Sequence, residues 1–210
     1  INFRRTLATM GAELSAEFVT FEADERLIRY MNERNPVPFE PQSPDPDAQY
    51  AARHRIDLGK IEPLVALPDA VIKNSVPVGE VAGQPIDQAF IGSCANGTLD
   101  DIAAAARIVK GKRVASTVRF IVTPGSQRTF RAAMEAGYVQ TLMEAGAVVT
   151  PATCGACFGG HMGVLGPDEI CITASTRNFK GRMGHPSARI FMASPATVAA
   201  SAIAGCIVHP

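Results

Sequence analysis

The chain has 210 residues, 47% of them hydrophobic and 19% charged, with 20 basic and 20 acidic side chains and a formal net charge of zero. That balance gives no electrostatic footprint for DNA, RNA or an anionic membrane, so nucleic acid is excluded as the expected partner. No apolar run reaches membrane-spanning length and Ile-Asn-Phe-Arg-Arg at the start is no signal peptide, so a soluble, cytoplasmic, globular protein is expected. Five cysteines, an odd number placed in ligand-like motifs, point to a reducing compartment and not to a disulfide framework.

In chain order, residues 6–17 have helix composition, with Leu7, Met10 and Leu14 on one stripe. The first residue is Ile and periodicity begins almost at once, the expectation for a fragment or processed piece of something longer. Phe18 to Phe21 reads as a short strand, and Asp24 to Arg34 as a second helix with Asp24 as its N-cap. Asn35 to Asp47 is proline-rich and reads as an irregular connection. Arg55 to Leu58 and Pro63 to Leu67 are expected as short strands.

From Ile86 the pattern changes to strand, loop, helix. Strands are expected at 89–91, 119–122, 147–150, 169–173 and 189–192. Helices are expected at 98–109 and 127–136, with a closing helix that starts from Ser194 as N-cap and Pro195 at the first helical position. The domain boundary is placed at 82/83, separating a partial α/β domain (1–82) from an α/β domain (83–210). The alternation predicts an α/β fold, three-layer α/β/α, with a mostly parallel sheet whose ligand crevice lies beyond the carboxyl ends of the strands.

Three cysteines fall there, in two glycine-bracketed loops: Cys94 in Ile-Gly-Ser-Cys-Ala-Asn-Gly, and Cys154 and Cys157 in Thr-Cys-Gly-Ala-Cys-Phe-Gly-Gly. Three thiolates can hold an iron–sulfur cube by three corners and leave one iron open to a substrate. The same residues also suit a Cys3His zinc site completed by His161, or a redox dithiol. Cys171 and Cys206 lie in apolar runs and read as core residues. A second constellation follows the fourth strand of this series, Thr176-Arg177-Asn178-Phe179-Lys180-Gly181-Arg182, where two guanidinium forks are suited to clamping carboxylates. A solvated basic loop is the plainer alternative.

Ile-Gly-Ser-Cys-Ala-Asn-Gly, Val-Thr-Pro-Gly-Ser, Cys-Gly-Ala-Cys-Phe-Gly-Gly-His-Met-Gly and Arg-Asn-Phe-Lys-Gly-Arg-Met-Gly, in that order, resemble the aconitase superfamily of hydro-lyases. The likeness is to its two-subunit branch, the C-terminal half of the large subunits of 3-isopropylmalate dehydratase and homoaconitase. The resemblance implies that Cys94, Cys154 and Cys157 ligate a [4Fe-4S] cluster and that Arg177 and Arg182 bind substrate carboxylates. It implies that Glu13 faces the reacting oxygen as a proton donor, although an exposed Glu on a helix is usually only solvated. Pro124-Gly125-Ser126 is expected to be a structural loop beneath the site.

Thr9 and Thr176 stand where the family usually has Asn, and with Asn178 they are expected around the ligands and substrate, Thr offering a shorter hydroxyl in place of an amide. The expected function is a hydro-lyase acting on a malate-type di- or tricarboxylate such as 3-isopropylmalate. Homoaconitate, dimethylmalate or maleate-type hydration, or an inactive metal-stabilised subunit, are the alternatives. The expected partners are a small subunit that completes the site and the N-terminal half of the large subunit.

Overall fold

In the computed structural model, which describes all 210 residues, the chain divides into two compact units, residues 1–61 and 62–210. The first contains α1 (Asn2–Met10), a 3-10 turn at Gly11–Leu14, α2 (Glu25–Asn32) and a 3-10 turn at Leu58–Lys60. The helix expected over 6–17 therefore starts earlier and stops at Met10. Gly11, the only buried residue of the unit, lies so close to Val19 that any side chain there would collide, and Ser15 turns the chain with φ 55°.

The strand expected at Phe18–Phe21 does not form. β-propensity needs a neighbouring strand, and the unit contains none, so Phe18 is 85% exposed. The strand expected at Arg55–Leu58 is likewise absent; the Asp57 carboxylate accepts from the Gly59 N–H and starts the 3-10 turn instead. Asp24 does cap α2, accepting from the Leu27 N–H at 2.9 Å. The Arg4 guanidinium hydrogen-bonded to Asp24, together with the Leu27 N–H, holds its carboxyl down at about 2.

The second unit runs β1 (Leu64–Ala66), β2 (Ser75–Pro77), α3 (Val78–Val81), β3 (Gln88–Gly92), α4 (Ser93–Asn96) and α5 (Leu99–Val109). It continues with β4 (Arg119–Thr123), α6 (Gln127–Glu135), α7 (Tyr138–Glu144), β5 (Val148–Val149), β6 (Ile170–Thr173), β7 (Arg189–Met192) and α8 (Pro195–Ala204). The seven strands form one sheet in the order β2-β1-β7-β6-β3-β4-β5. β3 to β7 are mutually parallel; β1 joins antiparallel to β7, and β2 pairs antiparallel with β1 at the edge. This is the expected α/β fold with a mostly parallel sheet. The hairpin 64–77, assigned from sequence to the first domain, is part of this sheet, so the break falls at 61/62 and not at 82/83.

Side chains alternate across the sheet as the pleat requires. Ala89, Ile91, Phe120, Val122, Ile172 and Phe191 pack against α5 to α8, contributing to the larger core. Phe90, Ile121, Cys171 and Ile190 face the other way, onto Ala156, Cys157, Leu165 and Met183. That second face is covered by the glycine-rich segments 154–169 and 174–188 on either side of β6, coil with one 3-10 turn at Gly155–Cys157. The helices begin where their caps dictate: Thr98 and Asp101 form a reciprocal capping box, Ser126 caps α6, and Ser194 with Pro195 starts α8. α7 has no sequence-level counterpart, because it follows α6 after a single left-handed Gly137 at φ 74° and has no side-chain cap. No helix is long and apolar enough to cross a membrane.

Candidate metal and carboxylate site

Parallel β3, β4, β5 and β6 deliver their carboxyl ends to one edge of the sheet, and the singled-out residues of this unit follow directly from them. Beyond β3 the chain turns at Ser93, a buried residue with φ 66°, a conformation that costs a non-glycine residue about 1–3 kcal/mol and persists only when packing enforces it. Here Gly97 and Gly125 enforce it. The Gly125 N–H donates to the Gly97 carbonyl at 2.8 Å, and a Cβ on Gly97 would lie 2.7 Å from the Gly125 nitrogen. The turn leaves Cys94 exposed at the start of α4, and the Pro124-Gly125-Ser126 loop supports it from the main chain. Asn96, two residues on, fastens the turn to the end of β6 by donating to the Ala174 carbonyl at 2.6 Å.

Beyond β5, Cys154 is exposed and Cys157 is 6% exposed, its neighbour Ala156 fully buried against the sheet. Burial pushes the Cys154 thiol up, and the neighbouring Cys157 and Cys94 push it further, while the Arg182 guanidinium pulls it down. Cys94, Cys157 and Arg182 are therefore each within electrostatic reach of Cys154. They are not gathered on one point: no three His, Cys, Asp or Glu side chains are arranged to hold a single metal ion, the set with exposed His161 included. A cube presents its irons at separate corners, each taking its own thiolate, so three thiols on two turns fit that donor set better than they fit one ion. Cys171, by contrast, is fully buried under the sheet and pushed up to about 12 by that burial. It is a core residue, as expected; Cys206 is half-buried.

Beyond β6 come the arginines, both partly exposed. Arg182 returns to the cysteine loop, its Nε donating to the Cys157 carbonyl at 2.8 Å and its Nη2 lying 3.6 Å from the Cys157 sulfur. The Gly159 N–H donates to the Arg182 carbonyl at 2.8 Å, so the two loops are joined through main chain as well. Thr176 is buried at 4% exposure. Asn178 is buried too, and its Nδ2 is spent on the carbonyls of Leu67, Ala70 and Ile190 at 2.6, 3.2 and 3.3 Å. Its Oδ1 is buried without a hydrogen-bond partner. Asn178 thus bolts the arginine loop to the turn between β1 and β2.

Glu13 and Thr9 belong to the first unit. Glu13 is half-buried in the 3-10 turn after α1, and the Thr9 hydroxyl donates back to the Arg5 carbonyl at 2.8 Å. Asn96 escaped sequence reasoning although it lies inside the Cys94 motif; its amide between Ala95 and Gly97 was the available signal.

Residues 69–205 match the model of the aconitase family (aconitate hydratase). The chain is 58% identical over 207 residues to the 3-isopropylmalate dehydratase large subunit of Mycolicibacterium smegmatis, an alignment covering 99% of this chain and 49% of that protein. It is 46% identical over 210 residues to the large subunit of the same name from Caldivirga maquilingensis, covering 100% of this chain and 50% of that one. For the namesake from Sulfurisphaera tokodaii the identity is 47% over 212 residues, with the same shares. The chain spans about half the length of the curated relatives it matches. With the family model matched across most of the sheet, both cysteine turns and the arginine loop, the chain belongs to the aconitase family.

Proposed function

We propose that this chain is the iron–sulfur portion of a hydro-lyase large subunit acting on a malate-type dicarboxylate, with 3-isopropylmalate as the first substrate to test. The observation that carries it is the placement of Cys94, Cys154, Cys157 and Arg182 on loops at the carboxyl edge of the sheet, with Arg182 bonded to Cys157, in a chain similar over its whole length to proteins named 3-isopropylmalate dehydratase large subunit. Cys94, Cys154 and Cys157 would hold a [4Fe-4S] cluster. When bound, that group supplies a Lewis acid with one iron free of protein thiolate, suited to a hydroxyl and a carboxylate of the substrate.

The remaining work falls to the chain. Arg177 and Arg182 bind substrate carboxylates, where a planar fork gives orientation as well as charge. By the family resemblance Glu13 would hold the proton that accompanies loss of the hydroxyl. The buried, glycine-lined turns around Cys94 and Cys157 keep the ligands in fixed positions, so little reorganisation is needed when substrate arrives.

The base for the carbon-bound proton is expected from outside this chain. The small subunit of the two-subunit enzyme and the other half of the large subunit are therefore part of this proposal, as is a cytoplasmic setting. The test is anaerobic reconstitution with iron and sulfide, followed by iron analysis and assay of 3-isopropylmalate dehydration with and without the other half and a small subunit. Iron binding that is lost in Cys94→Ser, Cys154→Ser and Cys157→Ser, with turnover only in the complete assembly, is expected. Turnover by the isolated chain, or iron binding indifferent to the three serines, would overturn the proposal.

A further inference from the structure

Gln88 opens β3 and is fully buried, a costly place for a primary amide unless both of its ends are satisfied. Both are. Nε2 donates to the Gly163 carbonyl at 2.9 Å, and Oε1 accepts from Arg119 Nε at 3.3 Å. Arg119 then reaches Glu169 with two hydrogen bonds of 2.8 Å, and Glu169 Oε2 accepts from the Gly166 N–H at 2.7 Å. The three side chains form a closed bracket. It grips segment 163–166 at both ends, at Gly163 through Gln88 and at Gly166 through Glu169.

That segment lies between the two functional loops. Gly163 has φ 58°, and a Cβ there would stand 2.7 Å from Ile121 Cδ1 and 2.8 Å from Ala156 Cβ, the residue immediately before Cys157. On its other side the Leu165 N–H donates to the Met183 carbonyl at 2.8 Å, and the His185 N–H donates to the Leu165 carbonyl at 2.9 Å, which ties the segment to the strand-like end of the arginine loop. Met183 follows Arg182, and Arg182 is bonded to Cys157. The bracket therefore anchors a closed circuit of backbone that passes through one thiol ligand and one carboxylate-binding residue.

We propose that Gln88, Arg119 and Glu169 are positioning residues that fix Cys157 relative to Arg182 from the face of the sheet that their loops cover. The purpose of that fixation rests on the proposed function; the geometry does not. A loop of glycines has high conformational freedom, and a fixed ligand position requires that freedom to be removed by contacts from a rigid element. Gln88, on an interior strand paired on both sides, supplies such a contact.

The experiment is alkylation of the metal-free chain, with the rate at each cysteine read by mass spectrometry. Gln88→Met keeps the length of the side chain and removes the donor to Gly163, so opening of the loop is expected to accelerate labelling of Cys157 about tenfold, the equivalent of about 1.4 kcal/mol. Arg119→Met, at the exposed end of the bracket, is expected to accelerate it about threefold. Global unfolding is read separately from the thermal midpoint, because Gln88 Nε2 lies 3.9 Å from the Cys171 sulfur and that thiol is not independent of the bracket.

Unchanged Cys157 labelling in both variants overturns the proposal, as does acceleration in both that the fall in global stability fully accounts for. Should Gln88→Met alone unfold, Arg119→Met decides the matter by the same comparison. Iron release from the reconstituted variants to a chelator is expected to quicken in parallel. Faster labelling of Cys157 in a chain that binds no iron would keep the bracket and remove the proposed function.

Discussion

The guanidinium of Arg182 is fastened to Cys157 twice, through its carbonyl oxygen at 2.8 Å and near its sulfur at 3.6 Å. A residue proposed to hold substrate is therefore also part of what holds a proposed ligand. Arg182→Lys keeps the charge but loses the planar fork that makes both contacts. Activity of the reconstituted assembly is expected to fall at least about tenfold, the loss of roughly one charge-assisted hydrogen bond. Arg177→Lys should show a comparable fall in activity. Steady-state kinetics indistinguishable from the parent in both variants would mean that the loop is only a basic turn.

Gly159 and Gly184 touch backbone to backbone. A Cβ on Gly159 would lie 2.7 Å from the Gly184 nitrogen and 3.1 Å from its Cα. Neither atom can give way without separating the two loops, so Gly159→Ala is expected to cost about 1–3 kcal/mol as an overpacked site. Thermal unfolding of the chain should register this as a fall of several degrees, at about 2–4 °C per kcal/mol for a chain of this size. An unchanged midpoint would show that the loops are not locked together.

The Arg119–Glu169 pair makes stability depend on pH. Hydrogen bonding to Arg119, followed by the Gly166 N–H, lowers the Glu169 carboxyl below its usual value of 4.5. A carboxylate lowered in the folded state binds fewer protons there than in the unfolded chain, so its contribution is present above 4.5 and lost as pH falls through the lowered value. Denaturant midpoints of the parent and Glu169→Gln, measured from pH 7 to pH 3, should converge towards the acid end. Parallel curves across that range would show that the pair contributes no proton linkage.

Thr98 and Asp101 close the start of α5 with reciprocal bonds of 3.0 and 3.4 Å, immediately after the Cys94 turn. Thr98→Ala removes one arm and is expected to cost about 1 kcal/mol, the usual worth of an N-cap. Urea titration followed by circular dichroism measures it. A midpoint equal to that of the parent would mean that the cap is redundant with the packing of α5 on α8.

The parts of this fold that could be read from sequence are those whose signal is local. Asp24, Thr98, Ser126 and Ser194 each name a helix start, because a capping side chain bonds an N–H two or three residues away. The apolar runs of β3, β4, β6 and β7 are legible because strands covered on both faces are apolar throughout. Phe18–Phe21 has the same composition and forms no strand, since pairing depends on a partner that no local pattern encodes. The candidate site divides in the same way. Cys94, Cys154, Cys157, Arg177 and Arg182 stand in motifs, whereas Gln88 is marked only by contacts 75 and 31 residues away in sequence, with Gly163 and Arg119.

The pairing of β1 with β7 joins Ala66 to Met192, and Asn178 reaches Leu67 across 111 residues of sequence. Closing a loop of that size costs chain entropy before any contact rewards it, so in the order of folding this seam belongs to the late events. Until it closes, the amide of Asn178 has no turn to grip and the arginine loop has one fewer anchor. The chain is thus expected to acquire its helices and central strands before it acquires a finished carboxylate-binding edge, and a nascent chain short of β7 would present its thiols before its arginines are set.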